Sequence, residues 1–133
     1  MNTIAKWIIA GVVATGCVGL AYAQDLESKN RVELKRADLT GTNMEVIVST
    51  TEYKPGETIP LHIHHGEEAF YWLEGGTVQT PDGKQVQVPT GTTGINRRDV
   101  PHAGIKIVGD KTVKILTVHT VDKGKPLYDA PPK

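Results

Sequence analysis

The chain has a single cysteine, Cys17, among its 133 residues, so no intrachain disulfide can hold it together. It also lacks an excess of either charge, with 15 Lys and Arg against 15 Asp and Glu. That balance removes the electrostatic reason to expect nucleic acid or an anionic membrane as a partner. After Ala23 no stretch shows ten or more residues with apolar side chains at helical spacing, which argues against a helical bundle. A small-molecule partner is the expectation that remains.

The one long apolar run stands at the start. Lys6 precedes apolar residues from Trp7 to Leu20, followed by Ala21-Tyr22-Ala23. A basic start, a run short for a bilayer span and a small-residue cleavage site describe a secretory signal peptide over 1–23. Cleavage there removes Cys17 and Lys6, leaving 14 Lys and Arg against 15 Asp and Glu. The expectation is a secreted or periplasmic protein of about 110 residues, one domain in size, stabilised by its core. No membrane contact is expected once the signal is gone.

Residues 24–40 are polar and charged and read as an arm, helical or disordered, leading into the domain. Beyond it, β-branched and alternating segments recur between turn signals. Strands are expected at Glu45 to Thr50, Ile59 to His64, Ala69 to Leu73, Thr77 to Thr80, Gln85 to Val88, His102 to Val108 and Thr112 to Val121. Pro55-Gly56, Gly75-Gly76 and Asp82-Gly83 punctuate them. Pro89 to Gly94 reads as a loop, and the proline-rich tail at 122–133 as an extended segment on the surface or on a partner. The fold class is all-β, with the domain at 41–121.

His62 and His64 are two apart on an expected strand, and alternation puts both on one face with Cβ atoms about 6 to 7 Å apart. Two such imidazoles can share one ion. His65 points to the other face by the same parity. Glu68 opens the next strand after a glycine bend, and its parity with Phe70 and Trp72 favours it over Glu67 as a third ligand. His102 opens a later strand. Phe70 and Trp72 are expected to line an apolar pocket.

Gly56, five residues, His62, one residue, His64, three residues, Glu68, six residues, Gly75 resembles the first motif of the cupin family. The likeness implies a double-stranded β-helix, a jelly-roll barrel, holding one divalent metal ion. The second motif is matched at Gly91 and His102, which implies His102 as fourth ligand. Arg97, Asp99 and Lys106 stand where the family has proline, glycine and asparagine. The resemblance also implies a homodimer.

Ligands of this set suit Fe, Mn, Ni, Cu or Zn, with copper or zinc favoured by affinity outside the cytoplasm. Four protein ligands leave about two positions of an octahedron for water, dioxygen or substrate. The expected function is a metal-dependent enzyme acting on a small anionic or enolisable substrate, leaning toward dioxygenase chemistry. A redox-neutral lyase, decarboxylase or isomerase and a non-catalytic binding module are the alternatives. Lys106, two residues from Gly104 and four from His102, is a candidate for the pocket, where it would hold a substrate oxygen, or else its ammonium reaches water at the mouth. Glu68 and Lys106 are the candidate catalytic groups. His119 falls on either face, since both carry apolar residues.

Overall fold

A computed structural model describes residues 26–133. The signal peptide expected over 1–23 lies outside the described residues. Nine strands follow: β1 (Arg31–Leu39), β2 (Met44–Tyr53), β3 (Thr58–Ile59), β4 (Gly66–Glu74), β5 (Gly76–Gln79), β6 (Gln85–Val88), β7 (Thr93–Asn96), β8 (Ile105–Ile107) and β9 (Val113–Asp122). All pairings are antiparallel. One sheet has the order β1-β2-β9-β4-β7 and the other β3-β8-β5-β6. Among the described residues, no helix is long and apolar enough to cross a membrane.

The alternation that marks a half-buried strand is clearest in β9, where Val113, Ile115, Thr117, His119 and Val121 are buried and the residues between them are partly exposed. The same period in β2 buries Ile47, Ser49, Thr51 and Tyr53. These inward faces meet Ile59 of β3, Val78 of β5 and Ile107 of β8 to form the core between the two sheets, with Trp72 of β4. Gly66 makes the close approach of β4 to β9 possible, because a Cβ there would lie 2.0 Å from the Thr120 carbonyl oxygen.

Five elements differ from the sequence expectation. The strand expected over Ile59 to His64 ends at β3 before Pro60, which has no N–H to donate, and the one expected over His102 to Val108 is reduced to β8 by the left-handed Ala103 and Gly104; His62, Ile63 and His102 pair only in isolated bridges. The charged segment expected as an arm is strand β1, paired with β2 along nearly its whole length. Eight of its nine residues are exposed, so backbone pairing rather than burial keeps it extended, and no hydrophobic pattern announces it. Residues 93–96, expected to begin in a loop, are strand β7, paired with β4. The C-terminal tail folds back on the domain: Ile63 and Asp129 exchange backbone hydrogen bonds of 2.9 and 3.1 Å, and Tyr128 is buried.

Candidate metal centre

His62, His64, Glu68 and His102 each present a donor atom within 4.8 Å of the others. His62 and His102 face each other across an isolated antiparallel bridge, which brings the second histidine segment onto the first. Glu68 sits on β4 directly opposite His119 of β9 and Asn96 of β7. The cluster is enclosed, with His64 1% and His62 3% exposed.

Each of the three histidines has its Nδ1 committed to a backbone carbonyl. His62 Nδ1 donates to Pro60 O at 2.7 Å, His64 Nδ1 to Leu127 O and His102 Nδ1 to Val100 O at 2.9 Å. A carbonyl only accepts, so the proton resides on Nδ1 and each Nε2 presents a lone pair to the centre. This is the arrangement that orients imidazoles for a metal.

The donor spacing fits an ion. With bonds of about 2.1 Å, adjacent donors stand roughly 3.0 Å apart in an octahedron and roughly 3.4 Å in a tetrahedron. The Nε2 atoms of His62 and His64 are 3.1 Å apart, and Glu68 Oε2 is 3.4 Å from the Nε2 of both His64 and His102. His102 Nε2 is buried without a hydrogen-bond partner. Two lone pairs facing each other at 3.1 Å repel unless a cation or proton lies between them. The residues therefore suit a divalent metal.

The electrostatics agree. Burial would raise the Glu68 carboxyl, but the surrounding imidazoles of His102, His119 and His64 outweigh it and hold the group well below the usual carboxylate range. Burial pushes His62 down to about 4 and also lowers His119. His102 is pulled down by burial, yet Glu68 and the Val100 carbonyl together leave it raised. A neutral His62 and an ionised Glu68 are the forms that bind metal.

The centre forms one end of a cavity of about 260 Å³, which Phe70, Trp72, Ile59 and Ile115 line on the apolar side. At about 30 Å³ per molecule of liquid water, this is the space of roughly nine waters, enough for a small ligand. Tyr71 points outward, 44% exposed. Gly94 makes room for Phe70, whose ring would meet a Cβ there at 2.7 Å.

Lys106 does not reach this cavity. It is exposed and pairs in the ladder with Thr58 and Gln79. Alternation from His102 fails because Ala103 (φ 67°) and Gly104 (φ 68°) are both left-handed and reset the phase. Ala103 and Ile105 line the cavity instead, and Ile107 is fully buried. Among the described residues, no Lys or Arg lines the space. Arg98 is held by Asp122 in a bidentate pair at 2.9 and 3.0 Å, and Arg97 is exposed.

His65 also stays out of the cluster. Its ring lies between Asp99 Oδ1 at 2.9 Å and Asp129 Oδ2 at 3.1 Å, joining the loop before His102 to the tail. His119 points inward, its Nε2 3.4 Å from Glu68 Oε1.

Two contributors escaped the sequence reading. Asn96 donates to Glu68 Oε2 at 2.6 Å; its neighbours in a Gly/Thr-rich stretch concealed the strand. Tyr128 packs its ring 5.0 Å from those of both His62 and His64, from a tail whose prolines suggested only an extended surface segment.

The sequence matches the family model described as "Cupin domain" over residues 49–119, a span that includes all four candidate ligands. Among solved structures, the chain is similar to the polyketide cyclase RemF from Streptomyces resistomycificus, with 23% identity, 79% of this chain and 73% of that one covered, and a TM-score of 0.54. It is also similar to an uncharacterized conserved protein with a double-stranded β-helix domain from Klebsiella pneumoniae, with 16% identity, coverage of 84% and 95%, and a TM-score of 0.53. No curated protein matches it. At these identities the structures speak to the fold alone, and it is the family model, together with the two antiparallel sheets, that shows the chain to belong to the cupin family.

Proposed function

We propose that this protein is a metal-dependent cupin enzyme whose substrate is a small molecule with an apolar body and oxygen atoms that bind the ion, with dioxygen as the co-reactant. The observation that carries this reading is the convergence of three imidazole lone pairs and one carboxylate beside a cavity that Ile59, Phe70, Trp72, Ile105 and Ile115 help to line. When bound, a divalent transition metal would supply Lewis-acid or redox chemistry there, with copper, zinc, iron, manganese and nickel all suited to the donors. The chain's own part is to fix the donors through backbone carbonyls, to seat the apolar body against Phe70 and Trp72 and to exclude water. Because no Lys or Arg among the described residues lines the cavity, a substrate's negative charge would be met mainly by the ion, and neutral diols or enols fit better than polyanions.

The test is turnover by protein loaded separately with each metal and offered diols, flavonols and small carboxylic acids, with and without air. Oxygen consumption matched to product supports the oxygenase reading. Product formed equally without oxygen would move the assignment to a lyase, decarboxylase or isomerase. Tight metal binding with no product under either condition would favour a binding module.

Two further expectations belong to this reading. The protein acts after export, as the signal-like start suggests. It also pairs with a second copy through the outer face of the five-stranded sheet, where Val48, Val118, Ala69 and Ile95 form one cross-strand row. Five strands spaced about 4.8 Å apart make a face of the size needed for the about 800 Å² per partner of a stable interface. Sedimentation of the protein and of Val118→Lys tests this; a wild-type monomer at high micromolar concentration would refute it.

A further inference from the structure

The ladder sets His119, Glu68 and Asn96 side by side on one inward row of β9, β4 and β7. Glu68 is thus flanked on both strands by a polar side chain. On one side Asn96 Nδ2 donates to Oε2 at 2.6 Å. On the other stands an imidazole that is 0% exposed, with neither ring nitrogen hydrogen-bonded among the described residues. Leaving a buried polar group unpaired is costly, and Glu68 Oε1 lies 3.4 Å from Nε2. His119 is not one of the four residues whose donors lie mutually within 4.8 Å, and its ring packs edge-on against that of His64, centroids 4.5 Å apart.

We propose that His119 is a positioning residue of the metal centre: with its proton on Nε2 it donates to Glu68 Oε1 and, opposite Asn96, fixes the rotation of the carboxylate. Each oxygen then accepts one hydrogen bond, Oε1 from His119 and Oε2 from Asn96, and Oε2 is the oxygen that stands 3.4 Å from the Nε2 atoms of His64 and His102. A carboxylate so fixed would present Oε2 to an ion held by those histidines. Shape alone would be served as well by leucine or phenylalanine at this buried site, and neither would leave two nitrogens to satisfy.

The inference rests on the metal reading of the site, and its test separates the two. Nitrogen NMR of selectively labelled histidines in the wild-type protein reports the tautomer of His119, with and without zinc. Nε2–H with coupling across to Glu68 is expected in both; Nδ1–H in the zinc-bound protein would overturn the proposal. Zinc affinity by chelator competition and the absorption of the Co(II)-substituted protein then compare variants. His119→Leu should weaken binding about 10- to 100-fold and shift the Co(II) bands, while His119→Gln, whose amide N–H reaches as Nε2 does, should recover most of both. An unchanged Co(II) spectrum and affinity in His119→Leu would show packing alone. Equal loss in both variants would make the imidazole a ligand and equally refute the clamp. Failure of the wild-type protein to take up any metal, with Nε2–H retained, would sink the metal reading and leave the hydrogen bond standing.

Discussion

Removing residues 127–133 should separate the metal centre from the rest of the fold. The deletion takes away the Leu127 carbonyl that holds His64 Nδ1, the Asp129 backbone that pairs with Ile63 and the Tyr128 ring against His62 and His64. Loss of one carbonyl partner of a metal-binding imidazole typically weakens affinity 10- to 100-fold, or about 1.4 to 2.7 kcal/mol. Losing a large buried aromatic adds about 3 to 5 kcal/mol to the cost in stability. Tyr128→Ala in the full-length chain divides the two effects, since it carries the stability cost while the Leu127 carbonyl remains. Zinc competition titrations beside urea unfolding curves of both variants give the two quantities separately. A truncated protein that is folded and binds zinc with unchanged affinity would refute the reasoning, because His64 would then need no help from the tail.

The ligand set predicts that His62→Ala, His64→Ala and His102→Ala each lower metal content measured by elemental analysis, whereas His65→Ala leaves it unchanged and loosens the tail held through Asp129. Gly66→Ala should destabilise by about 1 to 3 kcal/mol or more, read from urea midpoints, because the added methyl meets backbone atoms that cannot turn aside; a neutral result would contradict the close β4–β9 approach. Ile107→Ala, at a fully buried site, should cost about 2 to 5 kcal/mol without altering metal stoichiometry. Burial lowers His62 to about 4 from an unfolded value of about 6.5. The unfolded chain therefore binds more protons at His62 in that interval, so this group costs the metal-free protein stability as pH falls from about 6.5 to 4; an NMR titration of the His62 ring with its midpoint at about 6.5 would show that it is not buried in its neutral form.

Part of the site could be read from spacing. Glu68 shares the inward face of β4 with Trp72, as period two requires, and His62 and His64 both turn inward, although they lie outside the named strands with Ile63 also buried between them. The reading failed where the backbone left that period. Two left-handed residues turned Lys106 outward, and a charged edge strand with both faces in solvent gave β1 no hydrophobic signature. His119 was ambiguous because the outward face of β9 is itself rich in apolar side chains. Contacts made across long separations, such as His64 to Leu127, leave no mark in either segment alone.

The left-handed pair Ala103-Gly104 also determines how the chemistry of the cavity can change. It couples two side chains of opposite character: the phase that buries Ile107 is the phase that exposes Lys106. Replacing Lys106 with any other residue therefore alters the outside of the molecule and leaves the interior as it was. Charge would enter the cavity through Ile105, one position away, which lines the same space as His62, Glu68 and His102. Ile105→Arg is expected to confer affinity for small carboxylates, measurable by calorimetry, that no substitution at Lys106 provides. At this turn, backbone phase decides which of the neighbouring side chains can face the cavity at all.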